Sequence, residues 1–193
     1  MTMTCLEALV QPKGPAAAPA FVPCEFRVKW AAGDWEHAQA RALRRAVFCV
    51  EQGVFVGDDR DAVDDRAQAL VALSCIGGVP DQGVGTVRIH AAEEGVWWGS
   101  RLAVHAAFRQ HGRLGATLIR LAVTSAHARG CRLFLAHVQQ QNVRLFERLH
   151  WRALKPETLH GRPHCLMQAD LAHYPPCFDP ITGFVTRSSG ARA

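Results

Sequence analysis

Val96-Trp97-Trp98-Gly99-Ser100-Arg101-Leu102-Ala103-Val104, then Gln110-His111-Gly112-Arg113-Leu114-Gly115, then Ala116 to Arg129: this succession decides the fold. The first segment is apolar and partly β-branched and reads as a strand. The last carries Leu118, Ile119, Ala122 and Val123 at three- and four-residue spacing and is stopped by Gly130, so it reads as a helix. Between them lies a short, basic, glycine-containing turn. The first backbone N–H groups of a helix have no intrahelical partner, and the helix dipole adds partial positive charge at the same end. Strand, turn and helix together make an anion site, read here as a cradle for the pyrophosphate of a coenzyme.

Upstream of this unit, Glu25 to Trp30 alternates polar and apolar residues as a half-buried strand does. Gly33-Asp34 breaks it, with Asp34 as candidate N-cap. Trp35 to Val50 then sets Ala38, Ala42, Ala46, Val47 and Val50 on one helical stripe. Gly57 to Arg66 is densely acidic. It reads as a solvated loop, or alternatively as a wall that draws in a cationic amine. Ala69 to Ile76 and Val84 to Ala91 are strands that lead by short turns into the Trp97 strand, an antiparallel meander. Downstream, Arg132 to Val138 is a fifth strand and Asn142 to Leu149 a short helix with Val143, Phe146 and Leu149 buried. His150 to Leu154 is a strand ended by Pro156, and His164 to Leu171 is the last strand. The crossover from the Trp97 strand through the helix to the Leu133 strand forces one parallel pair. The expected fold is therefore α/β (α+β), a mixed and mostly antiparallel sheet of six or seven strands flanked by helices. One domain over residues 24–173 is expected, between an Ala/Pro-rich leader (1–23) and a loose tail (174–193).

Composition narrows the function classes. The chain has 193 residues, 49% hydrophobic and 20% charged, which suits one soluble globular domain. No apolar run approaches the ~18 residues that span a bilayer. Seven cysteines, odd in number and without a CxxC pair, read as reduced thiols, and the cytoplasm is the expected compartment. The net charge of +5 comes almost wholly from arginine, Lys13, Lys29 and Lys155 being the lysines. These arginines are scattered, with no basic run interleaved with aromatics. A phosphorylated coenzyme accounts for several of them, and neither nucleic acid nor membrane is an expected partner.

The order of elements, with these residues, resembles the GNAT superfamily of acyl-CoA-dependent N-acetyltransferases. Their turn is Q/R-x-x-G-x-G/A before a helix carrying Leu-Leu or Leu-Ile. Here Gln110-x-x-Arg113-x-Gly115 precedes Leu118-Ile119, with Arg113 standing in place of the first glycine. Within the superfamily, ElaA-like acetyltransferases are the nearest likeness. Arg44 to Gln52 is similar to their R-x-x-V-F-x-x-E-Q, and Asp61-x-x-Asp64 to their D-x-x-D. Gly99 to Val104 is similar to their G-R-[hydrophobic]-x-V strand with one residue inserted, and Gly161 to Met167 to their G-I-P-H-x-x-M. A bacterial GNAT branch encoded near nitrilase-type genes has a similar W-G-S-R-L-A-V strand and H-G-R-P-H segment. The likeness covers roughly Phe26 to Leu171.

The resemblance implies direct transfer of an acetyl group from acetyl-CoA to a small amine in a ternary complex. It implies that the Leu102-Ala103-Val104 strand splays from the Leu133 strand (strands 4 and 5) and pairs with the pantetheine. Gln110, His111, Gly112, Arg113, Leu114, Gly115 and Ala116 would hold the pyrophosphate, with Gln139 and Asn142 added to the coenzyme-binding set. Candidate proton handlers are Glu51, His137 and His164. Each also has a purely structural reading: Glu51 bonded to backbone, His137 a satisfied core histidine, His164 ordering the substrate loop. The family's leaving-group tyrosine falls at Phe146, and the one tyrosine of the chain, Tyr174, lies outside the motif. His160-x-x-x-His164-Cys165 is not on a helix and no metal is expected. Cys131 and Cys165 lack a clear basic partner as acyl carriers. A small-molecule amine is the expected partner, with a homodimer as the assembly considered. The alternatives are a non-catalytic acyl-CoA-binding sensor or scaffold, suggested by Phe146 and Arg113, and an acyl-homoserine-lactone-synthase-like acyltransferase.

Overall fold

The structure, a computed structural model, describes residues 23–110 and 113–188. The leader, apart from Pro23, and two turn residues, His111 and Gly112, lie outside the described residues. Eight strands, two more than the shortest expectation, form one sheet in the order β6-β7-β5-β4-β3-β2-β1-β8. The strands are β1 Glu25–Trp30, β2 Gln68–Ile76, β3 Val79–Glu93, β4 Val96–Val104, β5 Leu133–Gln139, β6 Trp151–Leu159, β7 Arg162–Ala169 and β8 Phe184–Arg187. The helices are α1 Asp34–Arg44, which runs on as a π-helix over Arg45–Glu51, α2 Leu114–His127 and α3 Val143–Arg148. As the crossover requires, β4 and β5 pair in parallel; the other pairs whose registers are described are antiparallel.

Strand alternation splits the apolar residues between two faces. Leu70 and Ala72 of β2, Val87 and Ile89 of β3 and Phe134 and Ala136 of β5 pack with Leu118, Ile119, Ala122 and Val123 of α2, the stripe read from the sequence. Val71 and Leu73 of β2 point the other way and pack with Ala40 of α1. Leu43, Val47 and Phe48 continue that side against Ala103. The N-cap of α1 is Gly33 and not Asp34, which is the first helical residue. Glu36, at the third helical position, reaches back to accept from the backbone N–H of Ala32 at 2.7 Å.

Two expectations are corrected. Pro156 does not end β6, which runs to Leu159. A proline cannot donate to a ladder, but β6 is the edge strand of the sheet, where the missing N–H costs no bond. Nor is the segment 174–188 a loose tail. Tyr174 is buried, the Cys177 N–H bonds the Thr124 carbonyl at 2.9 Å, and β8 pairs with β1 from Glu25↔Arg187 to Val28↔Phe184. Polar composition hid this, because β8 is a half-exposed edge whose alternate residues face water.

Candidate active site

The pairing of β4 with β5 runs from Val96↔Leu133 to Gly99↔Ala136 and then stops, so the two strands diverge beyond Gly99. The cause lies in β4 itself. Opposite Val87 of β3 stand two residues, Arg101 and Leu102, between the pairs Ser100↔Arg88 and Ala103↔Thr86. The residue inserted in the Gly99–Val104 motif is thus a β-bulge, which bends its strand and re-aims side chains. Arg101 takes a left-handed φ of 56° there. That conformation costs an L-residue about 1–2 kcal/mol. Hydrogen bonds from the Arg101 guanidinium to Asp59 (2.9 Å) and Asp61 (3.0 Å) offset it.

Those aspartates belong to the acidic stretch, which is largely exposed but keeps three of its carboxylates paired, so it is not a free anionic wall. Asp59 is 2% exposed and binds Arg44 at 2.8 Å as well as Arg101. Asp64 binds Arg44 and Arg88, and Asp61 binds Arg88 and Arg101. Three arginines and three aspartates interlock and cancel. Burial works to raise the Asp64 carboxyl, but hydrogen bonds from Arg44 and from the Asp61 N–H overcome it and hold Asp64 well below the usual carboxylate range. The Arg88 hydrogen bond is the largest influence lowering Asp61. The loop is thereby fastened to α1, β3 and β4.

A cavity of about 340 Å³ opens at that gap. Of the expected site residues it gathers Leu102, Gln139, Asn142, His137 and His164. His137 is no core histidine: its side chain is 35% exposed, faces the cavity, and sets Nε2 2.8 Å from the Glu157 carboxylate. Burial lowers the His137 pKa, and Glu157 partly opposes the shift. A carboxylate at Nε2 fixes the tautomer that leaves Nδ1 to accept a proton. His164 bonds the Arg162 carbonyl through Nδ1 at 2.9 Å. Gln139 donates to Gln52 at 3.0 Å and accepts from Gln141 at 2.7 Å, an amide chain across the cavity rim.

Glu51 is placed elsewhere. It does not line the cavity and pairs with Arg109 at 2.6 Å on the exposed flank, a side-chain partner rather than the backbone one envisaged. Ala103 packs its side chain under α1, and Leu114 is buried in the core, so only the backbones of these two are available to a coenzyme. Phe146 lines the cavity where the family has a tyrosine. Its ring packs on Trp151, whose indole N–H reaches the Tyr174 hydroxyl at 3.1 Å. That hydroxyl donates to the Leu149 carbonyl and burial raises its pKa, so it offers no spare acid. Burial pushes the Cys131 thiol up to about 11, which removes it as an acyl-carrying nucleophile.

At the far end of β4, Arg113 is the N-cap residue of α2 with φ 50° and ψ 36°, the left-handed conformation a glycine adopts freely. Arg113, the residue that the chosen register sets at the family's first glycine, thus has a backbone conformation that suits glycine. The first intrahelical bond runs from the Thr117 N–H to the Arg113 carbonyl at 3.0 Å, so the N–H groups of Leu114, Gly115 and Ala116 precede it. Among the described residues, a Cβ on Gly115 would meet only a Val104 methyl at 4.0 Å. The N-terminus of α2 thus fits a phosphate, and Gln110 lies just before the two undescribed turn residues. Arg113→Gly is expected to keep or raise the thermal unfolding midpoint, since the strain of about 1 kcal/mol disappears. A fall of several degrees would show instead that the arginine side chain secures the turn.

Phe55 and His90 on the cavity wall, and Glu157 as the partner of His137, carried no site signal in the sequence, whereas Gln52, Trp98 and His160 stood in quoted motifs without an assigned role in the site. Glu157 lay beyond a proline read as a strand end. It faces His164 across the β6–β7 pair, a register visible only once β6 continues. Nδ1 of His90 is, among the described residues, the buried side-chain nitrogen without a hydrogen-bond partner. No group of three or more His, Cys, Asp or Glu among these residues could hold a metal ion.

The site thus combines a parallel pair that parts at a bulge, a helix N-terminus near the end of the bulged strand and the His137–Glu157 pair. The chain belongs to the acetyltransferase (GNAT) family, whose sequence model matches residues 34–151. It is similar to a protein from Lactobacillus plantarum assigned as an N-acetyltransferase, at 27% identity and a TM-score of 0.66 over 75% of this chain and 97% of that one. Escherichia coli ElaA is similar in fold at 18% identity, TM-score 0.62, over 76% and 99% of the two chains. So is BjaI, a CoA-dependent acyl-homoserine lactone synthase solved with SAM and isopentyl-CoA, at 15% identity, TM-score 0.59, over 75% and 83%. No curated protein sequence matches the chain. Among the described residues, no helix is long and apolar enough to cross a membrane.

Proposed function

We propose that this chain transfers the acetyl group of acetyl-CoA directly to a small primary amine, with His137 as the proton acceptor and Glu157 as its positioning partner. The observation that carries the reading is the gap between β4 and β5, with the α2 N-terminus at one end of β4 and the His137–Glu157 pair inside. The donors of Leu114, Gly115 and Ala116 would hold the pyrophosphate. The backbone of Leu102 to Val104, unpaired with β5, would bind the pantetheine, with Gln139 and Asn142 at the rim. The amine nitrogen attacks the thioester carbonyl while Nδ1 of His137 takes its proton. Collapse of the tetrahedral adduct breaks the C–S bond and releases CoA as thiolate, the amide as product and a proton on His137. A CoA thiolate is stable enough to depart without an acid at Phe146. His164 is the second candidate acceptor. Six free cysteines among the described residues suit the reducing cytoplasm as compartment.

The test is thiol release from acetyl-CoA across a panel of amines. Acetyl-CoA that binds but yields no thiol with any amine would favour an acyl-CoA sensor. The coenzyme assignment has its own check. Gly115→Leu fills space that no described residue claims and replaces a helix-disfavouring residue, so the fold should be as stable or more so. CoA affinity should nevertheless drop roughly 100-fold by calorimetry, as the side chain stands before the phosphate donors. Unchanged affinity would sink the assignment.

A further inference from the structure

The acceptor side of the cavity has two ring pairs. Trp98 of β4 lies against His137 of β5 with centroids 5.0 Å apart, and Phe55 meets the edge of His160 at 4.9 Å. Trp98 and Phe55 are both only partly buried, although each is a large apolar ring on the wall of a cavity. Ring area of this kind is energetically valuable to a ligand that covers it. An amine that delivers its nitrogen to His137 must also pass Trp98, because the two rings are in contact.

The charges on the same wall are already used. Arg88 and Arg101 line the cavity, yet both are held by Asp59, Asp61 and Asp64, and the Arg101 guanidinium lies 4.5 Å over the Phe55 ring. Burial lowers the pKa of His90 and of His137, so these two imidazoles stay neutral near pH 7. Among the described residues that line the cavity, no guanidinium is therefore left for a carboxylate or a phosphate on the acceptor, and the nearby Arg162 donates to the Gln52 carbonyl. The Glu157 carboxylate is shared between His137 and Lys155, so a second ammonium at the far end of a diamine finds no anion there either. What fits is a single amine on an uncharged body, and the exposed rings select what that body is.

We infer that the acceptor is an arylalkylamine, a primary amine joined by a short linker to an aromatic ring that packs against Trp98 and Phe55. This rests on the acetyltransferase reading above. With acetyl-CoA saturating, thiol release is measured for 2-phenylethylamine, tryptamine, hexylamine, cadaverine and phenylalanine. The two arylalkylamines should show kcat/KM about tenfold or more above the other three, the gain that ring–ring contacts supply. Trp98→Ala and Phe55→Leu should each shrink the arylalkylamine-to-hexylamine ratio of kcat/KM several-fold and leave CoA affinity intact. Hexylamine, cadaverine or phenylalanine used as well as 2-phenylethylamine would overturn the inference. So would selectivity that survives both replacements in variants that still unfold cooperatively. If no amine in the panel is acetylated, the acetyltransferase reading fails, and the pocket is then judged by calorimetry on the CoA-loaded chain. Binding of 2-phenylethylamine that Trp98→Ala abolishes would support the aromatic pocket, and absence of binding would overturn it.

Discussion

Replacing His137 by Ala is expected to lower kcat by about 10²–10⁴-fold while CoA affinity stays the same, the range seen when a positioned proton acceptor is lost. The expectation follows from three facts in combination. His137 faces the cavity, its Nε2 is held 2.8 Å from Glu157, and burial depresses its pKa. The sign of the pH dependence follows. The active form is the neutral imidazole, so kcat should rise with pH through the pKa of His137, which lies below the ordinary value of about 6.5. Glu157 favours the imidazolium and therefore opposes the depression. Glu157→Gln should move the acid limb to lower pH as well as reduce kcat, whereas a merely structural role would leave the limb in place. A His137→Ala enzyme within threefold of wild type would pass the role to His164.

Asp59→Ala should be among the most destabilising replacements in the chain, by about 3 kcal/mol, because it leaves buried guanidinium groups short of a counter-charge. Asp59 is 2% exposed and binds both Arg44 and Arg101. For a domain of this size that loss corresponds to a drop of roughly 6–12 °C in Tm. Asp65→Ala is the control: its carboxylate is 79% exposed and 3.9 Å from Arg60, and the change should stay within about 0.5 kcal/mol. Equal effects in urea denaturation would show that the interlocked charges contribute nothing particular. The same network sets the acid limit of the fold. Asp61 and Asp64 are depressed in the folded state, so their contribution is complete above the unfolded carboxylate pKa of about 3.9 and is lost as pH falls through their folded values.

The sheet was legible where one face of an element is apolar and the other is not. The stripe on α2, the alternation of β1 and the crossover between β4 and β5 each state a periodicity that only one packing satisfies. What escaped reading had a different physical origin. The continuation of β6 past Pro156 depends on its edge position, and β8 depends on a partner more than 150 residues away in sequence. Both are properties of neighbours, which no local pattern records. The same limit governs the site. The α2 turn could be placed because helix termini bind anions wherever they occur, but Glu157 could not, since its meaning comes from the β6–β7 register. The acidic stretch was read only in part: most of it does face solvent, yet Arg44, Arg88 and Arg101 come from three separate elements to pair three of its carboxylates.

The pairing of β8 with β1 has a practical side. The family match ends at Trp151, and a recombinant fragment cut there, or at the end of β7, would lack the strand that covers β1. β1, which carries Phe26 and Val28, would then itself present a bare row of backbone donors and acceptors, the kind of edge that recruits other chains. The Gly183 backbone sits so close to the Val28 carbonyl that a Cβ there would approach it to 2.1 Å, so even a single bulky residue at that point would hold β8 away. An expression boundary for this protein therefore belongs after Arg187, and aggregation of shorter fragments would report an uncovered sheet margin rather than an unstable core.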